Sequence, residues 1–242
     1  MAGKFGILSV ADVVFYEIET GAPTILFDTL KVSTIENEAE TAEARGGQGN
    51  PILINWNYNR TGTLTMQDAL ISMESLALLS GNDVEEGATI YAKEEHTVSE
   101  AGDISLDNIP VGKVSVHAIS GGVLGEEKSI TTPEEGTPGE VSGLDSGTRV
   151  VAFYEHKAPV GSQTVRFSSD SFPGQYRVVG TTVVRDQQSG KDKAAQFLIK
   201  RAQLQAGFSI TMDAENVSVL DFNLNILKDT DTTDLYEITV IE

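Results

Sequence analysis

Four carboxylate doublets are the first residues whose type and spacing could do chemistry: Glu85-Glu86, Glu94-Glu95, Glu126-Glu127 and Glu134-Glu135. General acid–base work or metal binding needs two carboxylates converging on one point. Adjacent residues of a strand point to opposite faces, so a doublet alone builds no such pair. None of the four sits in the alternating Asp/Asn pattern with a central Gly and terminal Glu that holds calcium. The three histidines (His96, His117, His156) have no partner at metal-ligand spacing, and the chain has no cysteine, which excludes disulfides and thiolate chemistry. The glycine run Gly46–Gly49 lacks the Gly-Lys-Ser/Thr ending of a phosphate loop and follows Glu36, Glu38, Glu40 and Glu43, which would repel phosphate. No serine stands in a nucleophile-elbow pattern. Trp56 and Tyr58 read as packing anchors at a strand edge or an interface, because only Arg60 supplies a nearby cation for a base-stacking platform. No cofactor is expected, and the chain does not read as an enzyme.

Charge narrows the partners. The 242 residues carry 17 basic and 36 acidic side chains, a net −19, of which −17 falls in residues 1–148. A surface of that sign repels a phosphate backbone and gains nothing from counterion release. It reads either as an ordinary solvated surface or as a wall that must not adhere to DNA. No run of 18 apolar residues and no charged-then-apolar leader is present, so neither a membrane span nor a secretory signal is expected.

The elements that would position these residues are mostly strands. Thr61, Thr63, Thr65 and Gln67 alternate with Gly62, Leu64 and Met66, the period-2 pattern of a strand with one wet face. Leu220, Phe222, Leu224 and Ile226 alternate in the same way with Asp221, Asn223 and Asn225, and the segment 207–213 sets Ser209, Thr211 and Asp213 against Phe208, Ile210 and Met212. These three polar sets are expected to be sheet faces, and 207–213 and 219–227 are expected to leave free pairing edges. Strands are also expected at 12–18, 24–33, 148–158 and beyond. One short helix is expected over about 71–80, with Asp68 as N-cap and Gly81 just past its end.

Between the first strands and that helix, the glutamate-rich stretch 34–50 ends in Gly46, Gly47, Gly49 and Pro51, and its composition predicts a mobile loop at the end of a long hairpin. Residues 83–145 are punctuated by Gly and Pro and carry a net −11, which predicts a peripheral acidic β insertion. Residues 1–82 and 146–242 then form the core.

The run from Asn57 to Gly81, NYNRTGTLTMQDALISMESLALLSG, resembles the strand-plus-helix segment of the tail tube (major tail) proteins of tailed bacteriophages. The run from Phe197 to Leu227 resembles the closing strands of the same family, and the two together cover about a quarter of the chain. Residues 83–147 have no counterpart in the resemblance. It implies a two-sheet β-sandwich or partly closed barrel with one short flanking helix. It further implies a structural subunit that forms stacked hexameric rings, with a channel that conducts DNA during ejection. Thr61, Thr63, Thr65, Gln67, Ser209, Thr211, Asp213, Asp221, Asn223 and Asn225 would face that lumen. Glu36, Glu38, Glu40, Glu43 and Arg45 would form an inter-subunit or inter-ring loop, and Lys200-Arg201 would pair between subunits. Expected partners are further copies of the chain, the tape measure, tail terminator and baseplate or tip proteins, and a sheath if one exists. Duplex DNA would pass only transiently and no membrane would be bound. The location is then the virion tail, assembled in the host cytoplasm. Competing readings are another virion component, such as a capsid decoration or tail-terminator protein; a surface- or carbohydrate-binding β module, against which the absence of an aromatic cluster counts; and a hydrolase built on the carboxylates.

Overall fold

The structure is a computed structural model describing residues 4–131, 139–141, 143–214 and 217–241. The chain is mainly β, with seventeen strands and one helix among the described residues, and it divides into two units, residues 1–84 with 165–242 and residues 85–164.

In chain order the first unit opens with β1 (Phe5–Ile7), β2 (Asp12–Glu17), β3 (Pro23–Phe27), β4 (Leu30–Arg45), β5 (Ile52–Asp68) and helix α1 (Met73–Ser80). The second unit holds β6 (Glu85–Glu86), β7 (Thr89–Thr97), β8 (Asp103–Ile104), β9 (Ser115–Ser120), β10 (Val123–Lys128), β11 (Gly139–Glu140), β12 (Arg149–Lys157) and β13 (Gln163–Thr164). The first unit resumes with β14 (Gln175–Asp186), β15 (Asp192–Leu204), β16 (Leu220–Ile226) and β17 (Glu237–Val240).

The first unit is one nine-stranded sheet in the order β3-β2-β14-β15-β16-β5-β4, with β1 added to the far half of β14 and β17 to the far half of β15. Its two end strands, β3 and β4, are joined by only Asp28 and Thr29, so the sheet must curl back on itself. The aromatic core shows the same closure. Phe27 of β3 lies 4.8 Å from Phe222 of β16 and 5.2 Å from Phe15 of β2, ring centre to ring centre. The result is a sandwich-like fold with no sheet closed into a barrel. Leu64, Met66, Leu220, Phe222, Leu224, Ile199 and Leu204 fill the interior, each removing enough apolar surface from water to contribute about 1.5–3 kcal/mol. Gly180 on β14 is opposite Phe197 on β15, and the Phe197 ring lies over it in the space a side chain would take, with a Cβ standing 2.1 Å from the ring.

Helix α1 begins at Ser72, not at Asp68. Ser72 and Ser75 make a reciprocal capping box, and the Ser75 amide donates to the Ser72 hydroxyl at 3.0 Å. Asp68 is instead the buried last residue of β5, accepting from the Thr29 hydroxyl at 2.5 Å, which pins the β3–β4 turn. Gly81 ends the helix in the left-handed conformation, at φ 72°, and a Cβ there would stand 2.3 Å from the Phe172 carbonyl oxygen.

The glutamate stretch is not a loop. Residues 30–45 form β4, laddered against β5 as far as Arg45 opposite Ile52, and only Gly46–Asn50 and Pro51 turn at the tip. Composition argued for mobility, but a continuous partner strand supplies the backbone hydrogen bonds and overrides weak β propensity.

The second unit is built on a four-stranded sheet, β10-β9-β12-β7, over a core of Val98, Val114, Val116, Val150, Ala152 and Tyr154. Its entering and leaving strands, β6 and β13, pair with each other. The unit therefore runs to residue 164, beyond the 145 at which the charge and glycine pattern ends, because β12 is its central strand, bonded to both β7 and β9. Of 163–171, expected from sequence to be a strand, only Gln163 and Thr164 are in one. Glu94 is not a solvated doublet member. Its carboxylate, 12 % exposed, accepts from the Tyr154 hydroxyl, the Asp107 amide at 3.1 Å and His96 Nε2 at 2.9 Å. Partial burial raises its pKa, and the hydrogen bonds, led by that from Tyr154, outweigh burial and hold it below the ordinary carboxylate value. Its neighbour Glu95 points the other way, to Arg149 at 2.8 Å. Glu134-Glu135 lies outside the described residues.

Candidate functional site

The two polar sets at 61–67 and 221–225 lie side by side. Strand β16 pairs with β5 so that Asp221 is opposite Gln67, Asn223 opposite Thr65 and Asn225 opposite Thr63. Gln67 donates to Asp221 at 2.9 Å, and Gln205 donates to Asn225 at 2.9 Å. The register then carries the same face across both neighbours. On one side Thr63 is opposite Glu36, Thr61 opposite Glu38 and Thr65 opposite Thr34. On the other, Asn225 is opposite Gln203, which is opposite Gln175. One row, Glu36–Thr63–Asn225–Gln203–Gln175, thus crosses five strands with hydroxyl, amide and carboxylate groups alone.

The reason is the period of the strand. The residues between these, Leu64, Met66, Leu224, Ile226, Ala202 and Leu204, are buried, and each buried position fixes its two neighbours outward. Strand β16 lies between β5, paired along its whole length, and β15, paired at Leu224–Ile226, so it is an interior strand; the ends of the sheet are β3 and β4.

The third polar set does not join the face. The described residues of 205–219 form no strand, and Ser209, Thr211 and Asp213 are exposed in that connection. Alternation there lacks a core to cover: Ile210 is exposed and Met212 is 92 % exposed, and only Phe208 packs inward, 5.2 Å from Phe167.

Lys200 and Arg201 sit in a bulge on β15. Between Val178–Ile199 and Tyr176–Ala202 the pairing advances two residues on β14 and three on β15, so both cations oppose Arg177. Both are engaged within the chain. Lys200 lies 3.3 Å from Asp229, 3.5 Å from Glu237 and 3.9 Å from Asp234, and Arg201 donates to Gln175 at 2.7 Å. The hydrogen bond to Asp229 holds the Lys200 pKa above its ordinary value, with Glu237 adding to it. Partial desolvation pushes Asp229 up, but the Lys200 and Thr232 bonds leave it depressed. Arg177 and Arg201 make the polar face less purely uncharged on β14 and β15 than its Thr/Asn part suggests. Plain alternation puts Arg177 with Gln175 and Arg201 with Gln203 on this face.

Beyond Thr61 the β4–β5 hairpin leaves the sheet as an arm. A bulge at Glu38–Glu40, where Asn59 adopts φ 47°, separates the two parts. In the arm Tyr58 is opposite Glu40, Trp56 opposite Ala42 and Ile54 opposite Ala44, and all three large side chains are exposed, Trp56 by 52 %. Arg45 is held by Glu43 at 2.6 Å. Of the residues assigned to an inter-subunit loop, Glu36 and Glu38 belong to the polar face and Glu40, Glu43 and Arg45 to the arm.

Among the described residues no group of His, Asp and Glu is placed to hold a metal, and no helix is long and apolar enough to cross a membrane. What the fold presents is an extended polar sheet face and a projecting arm, the attributes of a β-sheet structural protein. The YomU/Tube protein family model matches residues 5–238, through the 85–164 unit as well as the main sheet. The chain belongs to this family, a phage tail tube family, and it is therefore a structural component of the virion from a family that is not one of enzymes. No curated protein matches the chain.

Proposed function

We propose that the chain is the repeating subunit of the tail tube, that its copies close into hexameric rings which stack, and that the polar face of the main sheet lines the channel through which DNA leaves. The observation that carries this reading is the row Glu36–Thr63–Asn225–Gln203–Gln175. A sheet buried on one side and largely polar on the other is ordinary in a monomer. Repeated round a ring, the same face gives a continuous wall of hydroxyl, amide and carboxylate groups. Such a wall does not trap a polyanion, and the net −19 acts in the same direction. Arg177 and Arg201 would sit at the border of the wall, with Arg201 tied to Gln175. Thr61, Thr65, Gln67, Asp221 and Asn223 complete the lining. Assembly would occur in the host cytoplasm, with the tape measure inside the tube, terminator and baseplate or tip proteins at its ends, and a sheath outside where the tail contracts.

Negative-stain microscopy of the purified protein at high concentration tests the reading. Tubes or six-fold rings with a central hole are expected. A dispersed, folded monomer throughout would overturn it.

A further inference from the structure

The main sheet does not close, and its mouth is an apolar cleft of about 510 Å³. Leu64, Ala195 and Phe197 form its floor, and Phe5, Ile7 and Ile238 stand at its rim, where Ile7 is 72 % exposed. Lys31 is the one charged residue in its lining. The arm of the hairpin offers the opposite surface. Ile54, Trp56 and Tyr58 project from one face of β5, with the small Ala42 and Ala44 beside them and Glu40 next to Tyr58. Trp and Tyr are the side chains most often found as anchors of protein interfaces, and an exposed pair on a protruding hairpin has no role in the core of its own unit.

The arm cannot fill the cleft of its own chain. Ile35 lines the cleft, and from there to Ala42 an extended strand advances roughly 23 Å at about 3.3 Å per residue. The ladder to β5, which resumes beyond the bulge at Glu38–Glu40, keeps it pointing away. The charges also match between copies: the arm bears Glu40 and Glu43, with Glu43 already held by Arg45, while the cleft presents Lys31.

We propose that the cleft receives the Ile54–Trp56–Tyr58 face of the hairpin arm from a second copy of the chain, with Glu40 of that arm meeting Lys31 at the rim. This rests on the tube reading and names its contact. Such a contact is heterologous, one surface of each copy meeting a different surface of the next, so it propagates round a ring or along a stack instead of stopping at a dimer.

Trp56 is the sole tryptophan, and the chain has no cysteine, so both readouts are free of background. Tryptophan emission followed through assembly should shift to the blue as Trp56 leaves water. Ile7→Asp alters an exposed rim position and should leave the free subunit folded by circular dichroism while abolishing the shift. An Ile7→Cys/Ala42→Cys double variant, oxidised after assembly, should give a ladder of covalent oligomers that neither single variant gives. Tubes that form with Trp56 still emitting as an exposed indole, or that form without a crosslink in the double variant, would overturn this inference and leave the tube reading standing. A wild-type protein that forms no ring or tube, with emission unchanged at every concentration, would overturn both.

Discussion

Strand β5 passes through two environments. From Thr61 to Asp68 every second residue is buried, because β16 lies on one side, β4 on the other, and the folded-over sheet covers one face. From Ile52 to Arg60 all residues are exposed although the ladder to β4 continues. The exposed stretch is the richer in large apolar residues, with Ile52, Leu53, Ile54, Trp56 and Tyr58 against Leu64 and Met66, so composition does not decide burial. What differs is the third strand. Two paired strands form a ribbon with no inside, and a core appears only where a further layer covers one face. The base of the hairpin is thus complete within one chain, and the arm is a surface that another molecule must complete.

Substitutions on the two halves of β5 should separate sharply in the isolated subunit. Leu64→Ala, at a fully buried position, should cost about 2–5 kcal/mol of unfolding free energy in a denaturant titration, through lost transfer energy and the cavity left behind. A cost below about 1 kcal/mol would show that the base is not a packed core.

The charges around Lys200, on β15, are likewise bound within one chain. Asp229 has a depressed pKa in the folded state, so its stabilising contribution is present above the ordinary carboxylate value and is lost as pH falls through the depressed one. Lys200 is raised, so its contribution is present below the ordinary lysine value and is lost only as pH rises through the raised one. Wild type should therefore exceed Asp229→Asn in stability at neutral pH, and the gap should close in acid below the ordinary carboxylate range. A gap that persists there would assign the effect to packing. In the arm, Trp56→Ala should change unfolding free energy of the free subunit by no more than about 0.5 kcal/mol, as exposed positions do. A large loss would mean that the indole already packs within its own chain.

The same contrast explains what could be read from sequence. The faces at 61–67 and 221–225 were legible because each polar residue sits between two that must be buried, and the helix was legible from its apolar residues and Gly81. Asp68 and Ser72 are both good caps by type, and only the Thr29 hydroxyl, distant in sequence, takes Asp68 away from the helix. The segment around Thr211 has the alternation of a strand, but alternation marks a strand only where a core exists to receive it. The Glu36–Glu43 run has the composition of a solvated loop, yet its partner strand decides its structure. The extent of the 85–164 unit was hidden because β12 carries no charge signature, and its membership depends on pairing with β7, more than fifty residues earlier.

On the tube reading the polar face of the main sheet meets the channel. The most direct measurement uses the cysteine-free background: Thr63→Cys, assembled into tubes, labelled with a heavy-atom thiol reagent, and averaged in cross-section by electron microscopy. A ring of added density on the inner wall, facing the axis, is expected. Density on the outer surface of well-formed tubes would contradict it and would turn the sheet face to solvent.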